Sequence, residues 1–304
     1  MTFIAISNKP VAAGALPGID MTPFVLNADT LFQNHKARVI ADGGFIPDEA
    51  ATLSEFNFIV NNGFYSRAVA WPSVDGGIKR NETTGDVLKV YSLIGPDFIP
   101  VTVAGSASPL PTIKVDTTGA RRGVSILLSN GGTYLRSESV VKVQAKANTQ
   151  WLMAARMRDL NLTDNAGIAV GWGTPTSTYA YIETRVTGSV SNPWKYVATN
   201  SIPVVANSLI AATQTPYSDF VKSAGLFDPA TGKVMGYQEG KLARLGVSDT
   251  SKLADFSGTS QYLWIGTTNL AQAGSLNVCH GTFANLRCLS QATENDAILI
   301  SNRA

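Results

Sequence analysis

"TQWLMAARMRDLN" (residues 149–161) can be read as either of two elements, and the choice settles the fold class. Leu, Met, Ala and Arg are good helix formers. Yet Trp151, Met153, Ala155 and Met157 alternate with Leu152, Ala154, Arg156 and Arg158. That is the two-residue period of a strand with one wetter face. Read as a strand, the stretch joins a long series.

From Ala68 onward short β-rich runs recur every 8 to 15 residues: "AVAWPS", "VLKVYSL" and "FIPVTVAG", then "GVSILLS", "TYLRS" and "VVKVQAKA". After 149–161 follow "GIAVGWG", "YAYIETRV", "WKYVAT", "DFVKSAGLFD", "KVMGYQEG", "QYLWIGTT" and "FANLRCLS". Turn residues separate them, which is the pattern of a sandwich or jelly roll rather than of alternating βαβ units. "SILLSNGGTYLRS" (125–137) carries a glycine doublet. A phosphate-cradling loop would open onto a helix, whereas "TYLRSESVVKV" reads as strand. Asn130-Gly131 is instead the favoured centre of a two-residue hairpin turn, so the expectation is a hairpin joining 125–129 to 133–137.

Upstream, "PDEAATLSEFNFIVNNGF" (47–64) is the best helix signal. Pro47 and Asp48 suit its start, Ala50, Leu53, Phe56 and Val60 recur at helical spacing, and Gly63 suits its stop. Such an amphipathic helix docks on something else, and Leu53, Phe56 and Val60 are its candidate assembly contacts. Residues 1–44 show no sustained period and read as an extended N-terminal arm. The expected organisation is therefore an arm (1–44), a helix-plus-strand connecting module (45–100) and a jelly-roll β-sandwich (101–304). The final "ATENDAILISNRA" is readable as a short helix or a further strand.

Composition narrows the function classes. Of 304 residues, 44% are hydrophobic and only 15% charged, against ~25% charged in a typical domain. A surface of neutral polar groups suits packing into a larger assembly, where dense charge is costly to bury. Net charge is +2 and the basic doublets are isolated, which argues against nucleic acid. The N-terminus lacks the layout of a signal peptide, and no apolar run is long enough for membrane insertion. Cys279 and Cys288, if they share one extended strand, lie roughly 30 Å apart and read as free thiols. A turn at His280-Gly281 would shorten that distance.

Chemistry-bearing patterns are sparse. A glycosidase needs two carboxylates across a cleft, and "YAYIETRV" offers Glu183 alone. With His35 and His280 as the only histidines and no nucleophile elbow, a Ser-His-Asp triad has no support. No catalytic residue is assigned, and the chain reads as not an enzyme. No cofactor is expected. Calcium is the one metal with candidate ligands, Asp228 in "DPATG" and Asp164 in "NLTDNAG", both also ordinary turn sequences. For stacking on sugar rings the candidates are Trp194, Tyr196 and Trp172.

Two resemblances add to this reading. "GARRGVSILLSNGGTYLRS" (119–137) resembles an early hairpin of the laminin-G-like, concanavalin A-like jelly rolls, with Leu127 at the usual aromatic, Ser129-Asn130-Gly131 at the Asp-Gly position, and Tyr134-Leu135 closing it. "LFDPATGKVMGYQEGKLA" (226–243) resembles a later hairpin with Glu239-Gly240-Lys241 as its turn, and "GTFANLRCLSQATENDAI" (281–298) the closing strand and following helix. Residues 39–95 resemble a module of tailed-bacteriophage structural proteins, matching at Lys89, Tyr91, Leu93 and Gly95, with Ser92 in place of the usual acid. The resemblances imply a virion structural protein, assembled in the bacterial cytoplasm and acting in assembly and attachment. Its partners would be other virion proteins and further copies of itself, a trimer for an appendage. The alternatives are a lectin-like module contacting a host-surface glycan and a polysaccharide depolymerase.

Overall fold

The structure is a computed structural model. It describes residues 26–102, 114–116, 125–129, 133–142, 150–159, 168–173, 181–186, 194–199, 206–210, 221–228, 233–247, 260–266 and 280–303. Two helices, α1 (Ala28–Ala41) and α2 (Glu49–Asn61), precede strands β1 (Ala68–Ala70), β2 (Ile78–Arg80), β3 (Val87–Val90) and β4 (Phe98–Thr102). Next come β5 (Lys114–Asp116), β6 (Ser125–Ser129), β7 (Thr133–Ser137), β8 (Val141–Lys142), β9 (Trp151–Asp159) and β10 (Ile168–Gly173). Strands β11 (Tyr181–Val186), β12 (Trp194–Thr199), β13 (Ala206–Ile210), β14 (Val221–Asp228), β15 (Lys233–Gln238) and β16 (Lys241–Val247) follow. The chain closes with β17 (Ser260–Gln261), β18 (Leu263–Ile265), β19 (His280–Ser290) and α3 (Glu294–Asn302).

The strands form a mainly β sandwich of two antiparallel sheets. The back sheet has eight strands in the order β16-β15-β14-β9-β19-β6-β5, with β1 added on β19. The front sheet has nine, in the order β13-β12-β11-β10-β18-β7-β4-β3-β2. Residues 149–161 supply the centre of the back sheet: β9 pairs with β14 on one side and β19 on the other. Trp151, Met153, Ala155 and Met157 point into the layer between the sheets, with Leu286 and Cys288 of β19 and with Leu135, Val170, Trp172 and Leu263 of the front sheet. The alternate residues Leu152 and Ala154 are buried as well, beneath the helices. The wetter face expected of this strand therefore begins only at Arg156, because the helical module covers the rest.

That module forms a second apolar cluster on the outer face of the back sheet. Phe56, Ile59, Phe64 and Trp71 meet Leu152, Ala154, Leu226 and Leu289, with Ala297 and Ile300 of α3. Helix α2 starts at Asp48, whose side chain accepts from the Ala51 N–H at 2.8 Å, and ends before Gly63 at φ 64°. Both boundaries match the sequence expectation. Phe56 is fully buried in this cluster, and Leu53 and Val60 pack partly against it. The candidate assembly contacts are thus engaged within the molecule, which corrects their reading as contacts to neighbours.

Three further expectations are corrected. Residues 28–41, placed in the extended arm, form α1: Asn27 caps it by accepting from Asp29 and Thr30, and Ala28, Phe32, His35 and Val39 are its buried stripe. Residues 1–25 lie outside the described residues. The 45–100 segment is no separate connector, since β2, β3 and β4 belong to the front sheet and β1 to the back sheet. Strands β6 and β7 do not pair: β6 lies between β5 and β19, whereas β7 lies between β4 and β18. The strands on either side of residues 130–132 therefore belong to different sheets. A two-residue turn with positive φ does occur between β15 and β16, at Glu239 (50°) and Gly240 (76°), where the resemblance placed it. The last segment is a strand and a helix, α3 being held by a capping box of Thr293 and Asp296. Strand β19 includes His280-Gly281, so no turn forms there; Cys288 is free and buried, and Cys279 lies outside the described residues.

Candidate functional site

The two outer faces of the sandwich differ. The back sheet's is shielded by α2 and α3, while no described helix covers that of the front sheet. Strand register defines what the front face presents. Leu135, Val170, Trp172, Leu263 and Ile265 point inward, so their neighbours along each strand lie outward. Arg136 stands opposite Ile99 on one side and Trp264 on the other. Trp264 stands opposite Gly171, Gly171 opposite Glu183, and Glu183 opposite Val197. On the far side the Val90–Phe98 pairing brings Lys89 next to Ile99, and Lys89 pairs with Lys79. One row of outward positions thus crosses the front sheet from Lys79 to Val197.

Glycine shapes the middle of the row. A Cβ at position 171 would overlap the Trp264 indole, so the missing side chain lets the ring lie across β10. Trp264 is fully buried there, with Tyr134 and Val101 against it. Beside this floor the Arg136 guanidinium stacks over the Tyr262 ring at 4.2 Å, and both side chains are half-buried. Burial pushes the Tyr134 phenol up, against the charge and hydrogen bond of Arg136. Arg136 Nε is buried and has no hydrogen-bond partner. The exposed parts of this guanidinium–aromatic pair, which do not include Nε, are of the kind that stacks on a sugar ring.

Farther along, the lysines of the row are neutralised. Lys79 lies 3.4 Å from Asp42, and Lys89 lies 3.1 Å from Asp42 and 3.0 Å from Glu138. The Tyr91 hydroxyl donates to Asp42 at 2.8 Å. That bond first, then Lys89, pulls the Asp42 carboxyl down to about 2.

The glycan candidates read from the sequence fall elsewhere. Trp172 is fully buried between the sheets and donates from Nε1 to the Val141 carbonyl at 2.9 Å. It cannot stack on a ligand, which corrects its assignment. The side chains of Trp194 and Tyr196 lie outside the described residues. Register puts positions 194 and 196 on the face of Val170 and Trp172, the inner one, opposite Val186 and Thr184. Of the calcium candidates, Asp164 lies outside the described residues. Asp228 is buried at the end of β14 and accepts from Gln150 Nε2 at 3.3 Å. Among the described residues no three His, Cys, Asp or Glu side chains gather as metal ligands, and no helix is long and apolar enough to cross a membrane.

Arg136, Tyr262 and Trp264 were not singled out from sequence, because β7, β18, β10 and β11 come together only in the fold. Gly171 inside "GIAVGWG" was the available signal, since glycine within a strand marks a close approach of another group.

No family model matches the chain, and no curated protein matches it. Solved structures of similar fold include the Trypanosoma rangeli sialidase in complex with sialic acid, at 12% identity and a TM-score of 0.45, covering 78% of this chain and 33% of that one. A botulinum neurotoxin serotype C1 binding domain matches at 8% identity and a TM-score of 0.47, over 79% of this chain and 52% of that one. Domain 4 of an extracellular GH43 arabinanase from Geobacillus stearothermophilus, in complex with arabinotriose, matches at 15% identity and a TM-score of 0.42, over 77% and 99%. The chain thus spans a third of the sialidase's length. The expectation that the chain is not an enzyme is corrected by these matches, which include a sialidase and a domain of an arabinanase.

Proposed function

We propose that the chain is an attachment protein that contacts glycan through the outer face of its front sheet. The observation that carries this reading is the Arg136–Tyr262 stack, half-exposed above the buried Trp264 on the sheet face that no described helix covers. The opposite face is closed by α2 and α3. A partly exposed guanidinium paired with an aromatic ring on a rigid sheet suits the flat, hydroxyl-rich surface of a sugar. The setting is a tailed-phage particle, as the resemblance of residues 39–95 implies, with copies of the chain forming a homo-oligomer.

A glycan array with the full chain tests the binding claim. Tyr262→Ala should weaken binding to the best ligands about tenfold, in line with a stacking contact. Undiminished binding by that variant contradicts the reading. The setting is tested by mass spectrometry of purified particles, in which the chain must be found. A depolymerase is the second reading, favoured by the register of Glu183 opposite Gly171 in the same row. It requires a further acid, and release of reducing ends from a bound polymer, lost in Glu183→Gln, would support it over binding alone.

A further inference from the structure

Helix α1 is fastened to the molecule differently from α2 and α3. Its buried stripe is Ala28, Phe32, His35 and Val39, so a histidine stands at the centre of its docking face. Among the described residues, the cluster between the sheets takes nothing from α1. Ala28 and Phe32 join the cluster beneath the helices, with Leu31 partly buried against it. The helix belongs to no sheet and can leave while both sheets stay paired.

The polar part of its attachment converges on His35. Nε2 of His35 donates to the Gly76 carbonyl at 2.6 Å, and Nδ1 accepts from Nη2 of Arg38 at 3.3 Å. Arg38 is in turn tied to the sandwich, by Asp97 at 2.6 Å and the Ser92 carbonyl at 2.8 Å. From α2 the Phe56 ring meets the imidazole edge-on at 5.6 Å. The imidazole is thus neutral, a donor on one side and an acceptor on the other. A second proton, on Nδ1, turns the acceptor into a donor that faces a guanidinium. The bond is lost and two cations confront each other. Arg38 cannot withdraw without giving up Asp97 and Ser92.

The charges that act on this ring are Arg38, on α1 itself, and Asp97, in the turn before β4. Asp97 favours the proton, but it is already engaged by Arg38 and by the Ser92 N–H at 2.8 Å. Asp75, which precedes Gly76, is buried, and its carbonyl accepts from the Thr52 hydroxyl of α2 at 3.0 Å. The acids of α2 are taken up elsewhere, Glu49 by Lys36 and Glu55 by Arg287 and Arg303.

We propose that His35 is an acid-sensitive latch, whose protonation releases α1 from α2 and from the Gly76 turn while the sandwich and α3 stay folded. Release uncovers the Phe56 ring, which is 1% exposed with α1 in place, so an apolar face appears on acidification.

The test is hydrogen exchange of the full chain at pH 7.5 and 5.5, with each rate corrected for the intrinsic pH dependence of amide exchange. Once α1 is free, His35 takes up its proton with an ordinary pKa near 6.5. Opening of residues 28–41 should therefore increase about five- to tenfold at the lower pH, while β9 and α3 keep their protection. His35→Gln should abolish the increase, and His280→Gln, at the chain's other histidine, should leave it in place. Equal opening of 28–41 at the two pH values overturns the proposal. Parallel loss of protection in β9 and α3 overturns it too, since the whole fold would then be opening. An increase that persists in His35→Gln, or vanishes in His280→Gln, assigns the response to another group and has the same consequence.

Discussion

Two arginines, Arg287 on the back sheet and Arg136 on the front, occupy comparable places and do different work. Each lies on the outer face of its sheet with its guanidinium over an aromatic ring, Trp71 at 5.9 Å for Arg287 and Tyr262 at 4.2 Å for Arg136. Arg287 is 4% exposed and donates from Nε to Glu55 at 2.7 Å. Glu55 also accepts from Trp71 Nε1 at 2.8 Å and from Arg303 Nε at 3.2 Å. Burial alone would push the Glu55 carboxyl up, but the Arg287 charge and hydrogen bond, with Trp71 and Arg303, hold it below the usual range. Among the described residues Arg136 has no such carboxylate, and its Nε is buried without a hydrogen-bond partner. One face has its polar groups closed upon each other and serves the fold. The other holds a partly exposed guanidinium on an aromatic ring, the kind of pair a ligand can reach.

The largest effect should come from breaking the closed face. Glu55→Ala leaves Arg287 buried without its counter-charge, and should cost about 3–5 kcal/mol in urea unfolding. Loss of less than about 1 kcal/mol would mean that the cluster is not what joins the helices to the sheet. Next comes the outer face of the front sheet. Gly171→Val must displace the Trp264 ring, for about 1–3 kcal/mol and a changed tryptophan emission. Unaltered emission would contradict the placement of the indole across β10.

A pH series sharpens the contrast on the helical side. His35 donates from Nε2 to the Gly76 carbonyl at 2.6 Å and accepts at Nδ1 from Arg38 at 3.3 Å, so it is the neutral tautomer. Burial first, then Arg38, lowers its pKa, against Gly76 and Asp97. Below the ordinary value of 6.5 the unfolded chain takes up a proton that the folded one resists. The contribution of His35 is therefore full above that pH and lost as pH falls through it. Between pH 7.5 and 5.5 the wild type should lose more thermal stability than His35→Gln; parallel profiles would contradict this. The smallest effect belongs to Arg136→Gln, about 0.5–1 kcal/mol of stability for one cation–π contact, although it should weaken ligand binding most.

How far the sequence reached follows the range of each signal. The alternation of Trp151, Met153, Ala155 and Met157 is local, and it placed the central strand. So did Asp48 and Gly63 for α2. Helix α1 was missed because His35 sits in its buried stripe, where a polar residue breaks the apolar period. The Asn130-Gly131 pair signals that the chain turns but not which sheet receives the next strand, and here β6 and β7 part. Trp172, Trp194 and Tyr196 illustrate the limit for a site: an aromatic in a strand is equally a core residue, and register rather than composition assigns the face. The row from Arg136 to Glu183 unites residues from four strands and has no linear pattern.

The most direct test of glycan binding by the front face is hydrogen exchange on the chain saturated with its best ligand from a glycan array. Protection is predicted across β7, β18 and β10, at residues 133–137, 263–265 and 168–173, with α2 and α3 unchanged. Protection concentrated on α2 and α3 instead would place the ligand on the closed face and contradict the account.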